Sequence, residues 1–286
     1  MADWQIIPRD TLDVLGEGTC WSARDNAVYW VDIMGQALNR LSLTNNEVIR
    51  WPMPEPLGWV VEREQGGFIA GFQSGFAELD LAPFAIRPIS DPEADLPGSR
   101  MNDGKADAEG RIWCGTKGLP ADPPTGAFYR FDPDHSWTKM DGGYEVPNGP
   151  AFSPDGRWLY HTDSGLRTVY RFAREEGGQI TDRQPFITFS EEEGYPDGMT
   201  VDAEGFLWIA HWEGSRISRF DPNGQRERVI PLPALQVTNI CFAGEALDRM
   251  FVTSAAEGLP ATEHDGSLFE VDCGGIKGLP TYLFPG

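Results

Sequence analysis

A sixteen-residue block recurs six times along this chain, and the recurrence limits the fold more than any other feature. The copies are EGTCWSARDNAVYWVD from Glu17, GWVVEREQGGFIAGFQ from Gly58, NDGKADAEGRIWCGTK from Asn102, NGPAFSPDGRWLYHTD from Asn148, DGMTVDAEGFLWIAHW from Asp197 and NICFAGEALDRMFVTS from Asn239. They align without a gap, and successive starts lie 41 to 49 residues apart. Each copy reads as a short run, a tight turn, and a second run rich in aromatic and β-branched residues. A third run follows in every unit: QALNRLSL, SGFAELDL, GAFYRFDP, RTVYRFAR, SRISRFDP and GSLFEVDC. A fourth is vaguer, as in QPFITFS and RERVIPLP. Four strands per unit of roughly 45 residues is the signature of a propeller blade. The chain is therefore expected to be all-β: a six-bladed β-propeller with four antiparallel strands per blade, one domain over residues 1–286. The N-terminal WQIIP is strand-like and has no blade of its own. It is expected to pair with the last blade and close the ring, which removes two exposed edges.

Composition narrows the partners. With 44 Asp and Glu against 23 Lys and Arg, the net charge is −21. Such a balance argues against nucleic acid and anionic membranes as partners and favours a bound cation. No run reaches the ~18 apolar residues of a membrane span. MADWQIIPRD lacks the basic-then-apolar layout of a secretory leader. Cys20, Cys114, Cys241 and Cys273 lie far apart with no CxxC, and free thiols are expected. A cytoplasmic protein, monomeric or weakly homo-oligomeric, is the expectation. HExxH, P-loop, GxGxxG, GxSxG and EF-hand patterns are missing. His161 and His211 fall in second strands and are expected to be packed.

The first residue of each copy begins the innermost strand, so the ring brings six distant positions to one mouth of the axis. They are Glu17, Gly58, Asn102, Asn148, Asp197 and Asn239. Five carry side-chain oxygen. Glu17 and Asp197 would repel if both were ionised without compensation, and a divalent cation resolves this. Two carboxylates with neutral amide oxygens suit Ca²⁺ first, with Mg²⁺, Mn²⁺, Zn²⁺ or Fe²⁺ as alternatives. Fifteen residues after each head come Asp32, Gln73, Lys117, Asp163, Trp212 and Ser254, on the same face. They are candidates for a substrate rim or for turn chemistry. Arg100, two residues before Asn102, is a candidate for a substrate oxygen.

LGEGTCWSARDNAVYWVDI, RMNDGKADAEGRIWCGT, NGPAFSPDGRWLYHTD and YPDGMTVDAEGFLWIAHW together resemble the gluconolactonase/regucalcin (senescence marker protein) family, nearest its bacterial sugar-lactonase branch. The resemblance spans nearly the whole chain. It implies a six-bladed propeller with one catalytic divalent cation at the axis. It implies Glu17, Asn148 and Asp197 as metal ligands, and Arg100 with Asn102 as the substrate-contacting pair. The family often has Met where GTK here places Lys117, which is either a specificity residue or a solvated rim charge.

The expected reaction is hydrolysis of an aldonolactone, such as glucono-, xylono- or arabinonolactone, to the open acid. The cation polarises the carbonyl, and Asp197 acts as general base towards water. Water activated by the cation itself is the alternative nucleophile. Two rival readings carry different outcomes. A phosphotriester or aryl-ester hydrolase at the same site turns over paraoxon-like esters and not lactones. A non-catalytic calcium-binding propeller is stabilised by metal and turns over neither.

Overall fold

The computed structural model describes residues 4–118, 123–260, 262 and 264–286. Its strands form six four-stranded sheets, each antiparallel throughout. Five sheets take consecutive strands in chain order. The sixth joins Gln236–Ala243, Arg249–Ala255 and Leu268–Val271 to the N-terminal strand Trp4–Ile6. Trp4 faces Val271 and Ile6 faces Phe269, so the first strand closes the ring as its sequence predicts. No α-helix occurs among the described residues.

Burial follows position in the blade. The innermost strands, such as Leu57–Glu62 and Pro147–Phe152, are buried at every residue. Outer strands such as Phe84–Ser90 and Arg226–Pro231 are largely exposed or half-buried. This explains why the inner runs are legible and the fourth runs are vague: only the former are packed on both faces. The apolar core is divided between neighbouring blades. One cluster joins Tyr29, Val31 and Leu38 of the first blade to Phe68, Phe72 and Leu79 of the second. Another joins Trp208 and Ile217 of the fifth to Val237, Met250 and Phe269 of the sixth. Each such side chain, fully buried, is worth roughly 1.5–3 kcal/mol against exposure.

The turns between first and second strands lie on the face away from the heads and are structural. In ADAEGR, the Asp107 carboxylate accepts from the backbone N–H of Glu109 and Arg111 (3.0 Å each) and from the indole of Trp113 (2.8 Å). Arg174 of the next blade completes the set at 2.7 Å. Asp202 repeats the device with Trp208 and Arg219, each at 2.8 Å.

After Val271 the chain crosses this same face as a strap. Ala203 N–H donates to Lys277 O (2.8 Å), and Phe284 N–H donates to Glu62 O (2.9 Å). Phe284 is fully buried and stacks on Phe131, with ring centroids 5.6 Å apart. Residues 279–282 wall an axial cavity against inner-strand residues including Thr19, Val60, Lys105 and Val201.

Candidate active site

Every innermost strand breaks its pairing register at the same place. The shifts fall between Glu17 and Cys20, Leu57 and Trp59, Met101 and Gly104, Asn148 and Ala151, Pro196 and Met199, and Val237 and Ile240. A bulge inserts a residue and re-aims its neighbours. Here six bulges turn the heads towards the axis. Gly58 is the exception in kind: a Cβ there would stand 2.6 Å from the carbonyl oxygen of Met101. The second blade therefore contributes no side chain. Gly198, beside Asp197, is under a similar constraint, since a Cβ would lie 2.3 Å from the Asn239 amide.

Glu17, Arg100, Asn102, Lys117, Asn148 and Asp197 all line one cavity of about 220 Å³ at this mouth. Tyr195, Trp212, Ser164 and Glu257 complete much of its wall. The carboxyls of Glu17 and Asp197 lie within hydrogen-bond reach of one another. Burial pushes both above the ordinary carboxylate range. The charge of Asp103 adds to the rise at Glu17, and the charges of Glu17 and Asp103 add to it at Asp197. Such a buried pair retains a proton unless a cation takes its place.

A hydrogen-bonded chain links three blades beside this pair. Arg100 Nη1 donates to Asn102 Oδ1 at 2.8 Å. Asn102 Nδ2 donates to Asn148 Oδ1 (2.8 Å) and to Pro147 O (2.7 Å). Asn148 Nδ2 donates to Ser164 Oγ (2.8 Å), which donates to Pro196 O (2.5 Å) next to Asp197. Asn102 thus lines the pocket while both of its amide hydrogens hold other groups, and it fixes the orientation of Asn148. The Asn148 carbonyl keeps a lone pair for a further partner.

This donor set fits a hard divalent cation. It offers two carboxyls and an amide oxygen, with no imidazole or thiolate. Among the described residues no group of three or more His, Cys, Asp or Glu side chains is arranged to hold a metal. The set therefore depends on Asn148 as its neutral member.

Beneath the pocket lies a residue that reading by phase passes over. Asp103 Oδ2 accepts from Gly149 N–H (3.0 Å) and from Asn239 Nδ2 (3.2 Å), and its Oδ1 accepts from Gly104 N–H (2.8 Å). The bulge between Met101 and Gly104 is what lets Asn102 and Asp103, adjacent in sequence, both reach inward. Glu257 and Tyr195 likewise lie neither at a head position nor fifteen residues after one. Of the six positions fifteen residues after the heads, Lys117 and Trp212 line the cavity. Asp32 turns back to accept from Leu15 and Gly35 N–H (3.0 and 2.9 Å), and Asp163 from Glu145 and Val146 N–H (both 3.2 Å). Ser254 donates to Ser267 O at 2.9 Å, and Gln73 borders a separate cavity. The two histidines are packed: His161 stacks on Phe128 and His211 on Phe189. The four cysteines are unpaired.

Fold and site together define a six-bladed propeller with an oxygen-rich small-molecule pocket at one mouth of its axis. The chain belongs to the SMP-30/Gluconolactonase/LRE-like family, whose sequence profile matches residues 15–256. It is 38% identical over 251 residues to 6-deoxy-6-sulfogluconolactonase of Pseudomonas putida, covering 87% of this chain and 86% of that one. It is 35% identical over 254 residues to L-arabinolactonase of Azospirillum brasilense, with coverage of 87% and 84%. The crystal structure of a calcium-binding protein, regucalcin, from Agrobacterium tumefaciens superposes with a TM-score of 0.91 at 27% identity, over 98% of this chain and 97% of that one.

Proposed function

We propose that this protein hydrolyses a sugar-acid lactone to the open acid, with a divalent cation held by Glu17, Asn148 and Asp197. The observation that carries the reading is convergence. Six side chains from four blades meet in one cavity, in a chain whose relatives are named as lactonases. When bound, the cation supplies Lewis-acid polarisation of the lactone carbonyl.

The chain's own residues do the rest. Asp197 accepts a proton from water as the water oxygen bonds to the carbonyl carbon. It returns that proton to the ring oxygen as the acyl–oxygen bond breaks. Its burial beside Glu17 raises its affinity for the proton. Arg100 and Lys117 face the substrate, and Asn102 holds Arg100 and Asn148 in register. Cys20, Cys114 and Cys241 stand outside the cavity, and no covalent intermediate is required. Ca²⁺ is the preferred ion, in keeping with the hard donors; Mg²⁺, Mn²⁺, Zn²⁺ and Fe²⁺ are the alternatives. Four unpaired thiols support a reducing compartment.

The test is Asp197→Ala against a panel of pentonic and hexonic lactones, read as acid release above spontaneous hydrolysis. A loss of at least about 100-fold is expected. Unchanged turnover would remove Asp197 from the reaction.

A further inference from the structure

Arg100 and Lys117 stand directly opposite each other in the antiparallel pairing of the third blade's inner strands. Like charges at facing positions destabilise a sheet. Both side chains also line the cavity that holds Glu17 and Asp197, so the repulsion is not spent in open solvent. Most arginines of this acidic chain are committed to carboxylates, among them Arg50 to Asp32 at 2.9 Å, Arg174 to Asp107 at 2.7 Å and Arg219 to Asp202 at 2.8 Å. Arg100 instead has only neutral partners among the described residues, the Met101 carbonyl at 3.0 Å and Asn102 Oδ1 at 2.8 Å. Lys117 has no hydrogen-bond or ion-pair partner among the described residues. Burial and then the charge of Arg100 push its ammonium below the ordinary lysine range, while Glu257 and Asp197 draw it back. Glu257, the one acidic wall residue besides Glu17 and Asp197 among the described residues, acts on both at a distance and forms an ion pair with neither.

Among the described residues, these two cations on one wall of the pocket have no anion paired with them. We propose that Arg100 and Lys117 form an anion-recognition pair, so that the lactone taken here carries a carboxylate, sulfonate or phosphate remote from its reacting carbonyl. The inference rests on the lactone-hydrolysis reading of the same pocket. The placement follows from the walls: the carbonyl belongs with Glu17, Asn148 and Asp197, which leaves the third blade for the substrate's other end. A charged substituent would accept from the planar guanidinium and from the ammonium at once.

Two lactones with the same ring test this, one ending in CH₂OH (glucono-γ-lactone) and one in carboxylate (glucaro-lactone). Wild type is expected to favour the anionic lactone, the more so at low salt. Lys117→Met should lower kcat/KM for the anionic lactone roughly 10- to 100-fold more than for the neutral one, chiefly through KM. Lys117→Arg should keep the preference, which separates charge from folding. Equal losses on both substrates would place Lys117 at the reacting carbonyl and overturn the proposal. So would a wild-type preference for the neutral lactone; lactone hydrolysis itself would stand in either case. If neither lactone is turned over, the lactonase reading fails, and calorimetry with glucitol and glucitol 6-phosphate judges the cation pair alone. Tighter binding of the phosphate, lost in Lys117→Met, supports the pair. Equal binding overturns it.

Discussion

Asn239 Nδ2 donates to Glu17 Oε2 at 2.9 Å, a bond from the last blade to the first. The same amide reaches Asp103 Oδ2 at 3.2 Å, and its carbonyl oxygen accepts from Thr19 Oγ1 at 2.9 Å. One neutral side chain therefore joins three blades under the pocket. Asn239→Ala leaves two buried carboxyls each short of a donor. A loss of about 2–4 kcal/mol in unfolding free energy is expected from chemical denaturation. A loss below about 0.5 kcal/mol, the range of an ordinary surface substitution, would contradict the role.

The carboxyl cluster sets a pH dependence of definite sign. Burial raises Glu17, Asp103 and Asp197 above the ordinary range, with Lys105 partly offsetting the rise at Asp103. A folded-state value above the unfolded one gives stability that is complete below the unfolded value and lost as pH rises through the folded one. The chelated protein should therefore lose stability as pH climbs from about 4 towards neutrality. Saturating Ca²⁺ should flatten that slope and raise the thermal midpoint. Denaturation at several pH values, with chelator and with calcium, measures both slopes. A slope unaffected by calcium would contradict the cluster's part in binding.

His211 acts in the opposite sense. Burial pushes its imidazole down to about 4, against the 6.5 of a free histidine, although its Nδ1 lies 2.8 Å from Glu193 O. A depressed value gives stability present above the unfolded pKa and lost as pH falls towards the folded one. The window therefore lies between 6.5 and about 4. Titration of the His211 ring by NMR should show a midpoint near the lower limit. A midpoint near the upper one would show the ring to be solvated.

The strap predicts a separation of stability from activity. Phe284 is fully buried on the face away from the pocket. Phe284→Ala should cost about 3–5 kcal/mol. At a temperature where the variant remains folded, its kcat/KM should match wild type within about twofold, because Phe284 lines no part of that pocket. A large loss of activity in folded protein would mean that the strap couples to the site.

The blades are legible in the sequence because inner strands are packed on both faces, so their apolar pattern and aromatic second runs repeat in phase. The N-terminal closure is legible because WQIIP is a strand in search of a partner. The heads Glu17, Asn102, Asn148 and Asp197 are legible for the same reason, since phase fixes place. Direction is another matter. Asp32 and Asp163 share the offset of Lys117 and Trp212, yet their short carboxylates fold back onto backbone N–H groups. Asp103 is hidden because strict alternation sends it away from its neighbour Asn102, and period alone does not reveal a bulge. The small residues after the heads, as in Glu17-Gly18, Asn148-Gly149 and Asp197-Gly198, are the signal that would have found it. Glu257 comes from a loop with no period at all.

The proposed hydrolysis depends on a cation held by Glu17, Asn148 and Asp197. The most direct measurement is the initial rate of acid release from sugar lactones by chelated protein, re-supplied in turn with Ca²⁺, Mg²⁺, Mn²⁺, Zn²⁺ or Fe²⁺. A rate near the spontaneous background is expected after chelation, with restoration by at least one ion and little restoration in Glu17→Gln. Full activity in thoroughly chelated protein, or no activity with any of the five ions, would contradict that dependence.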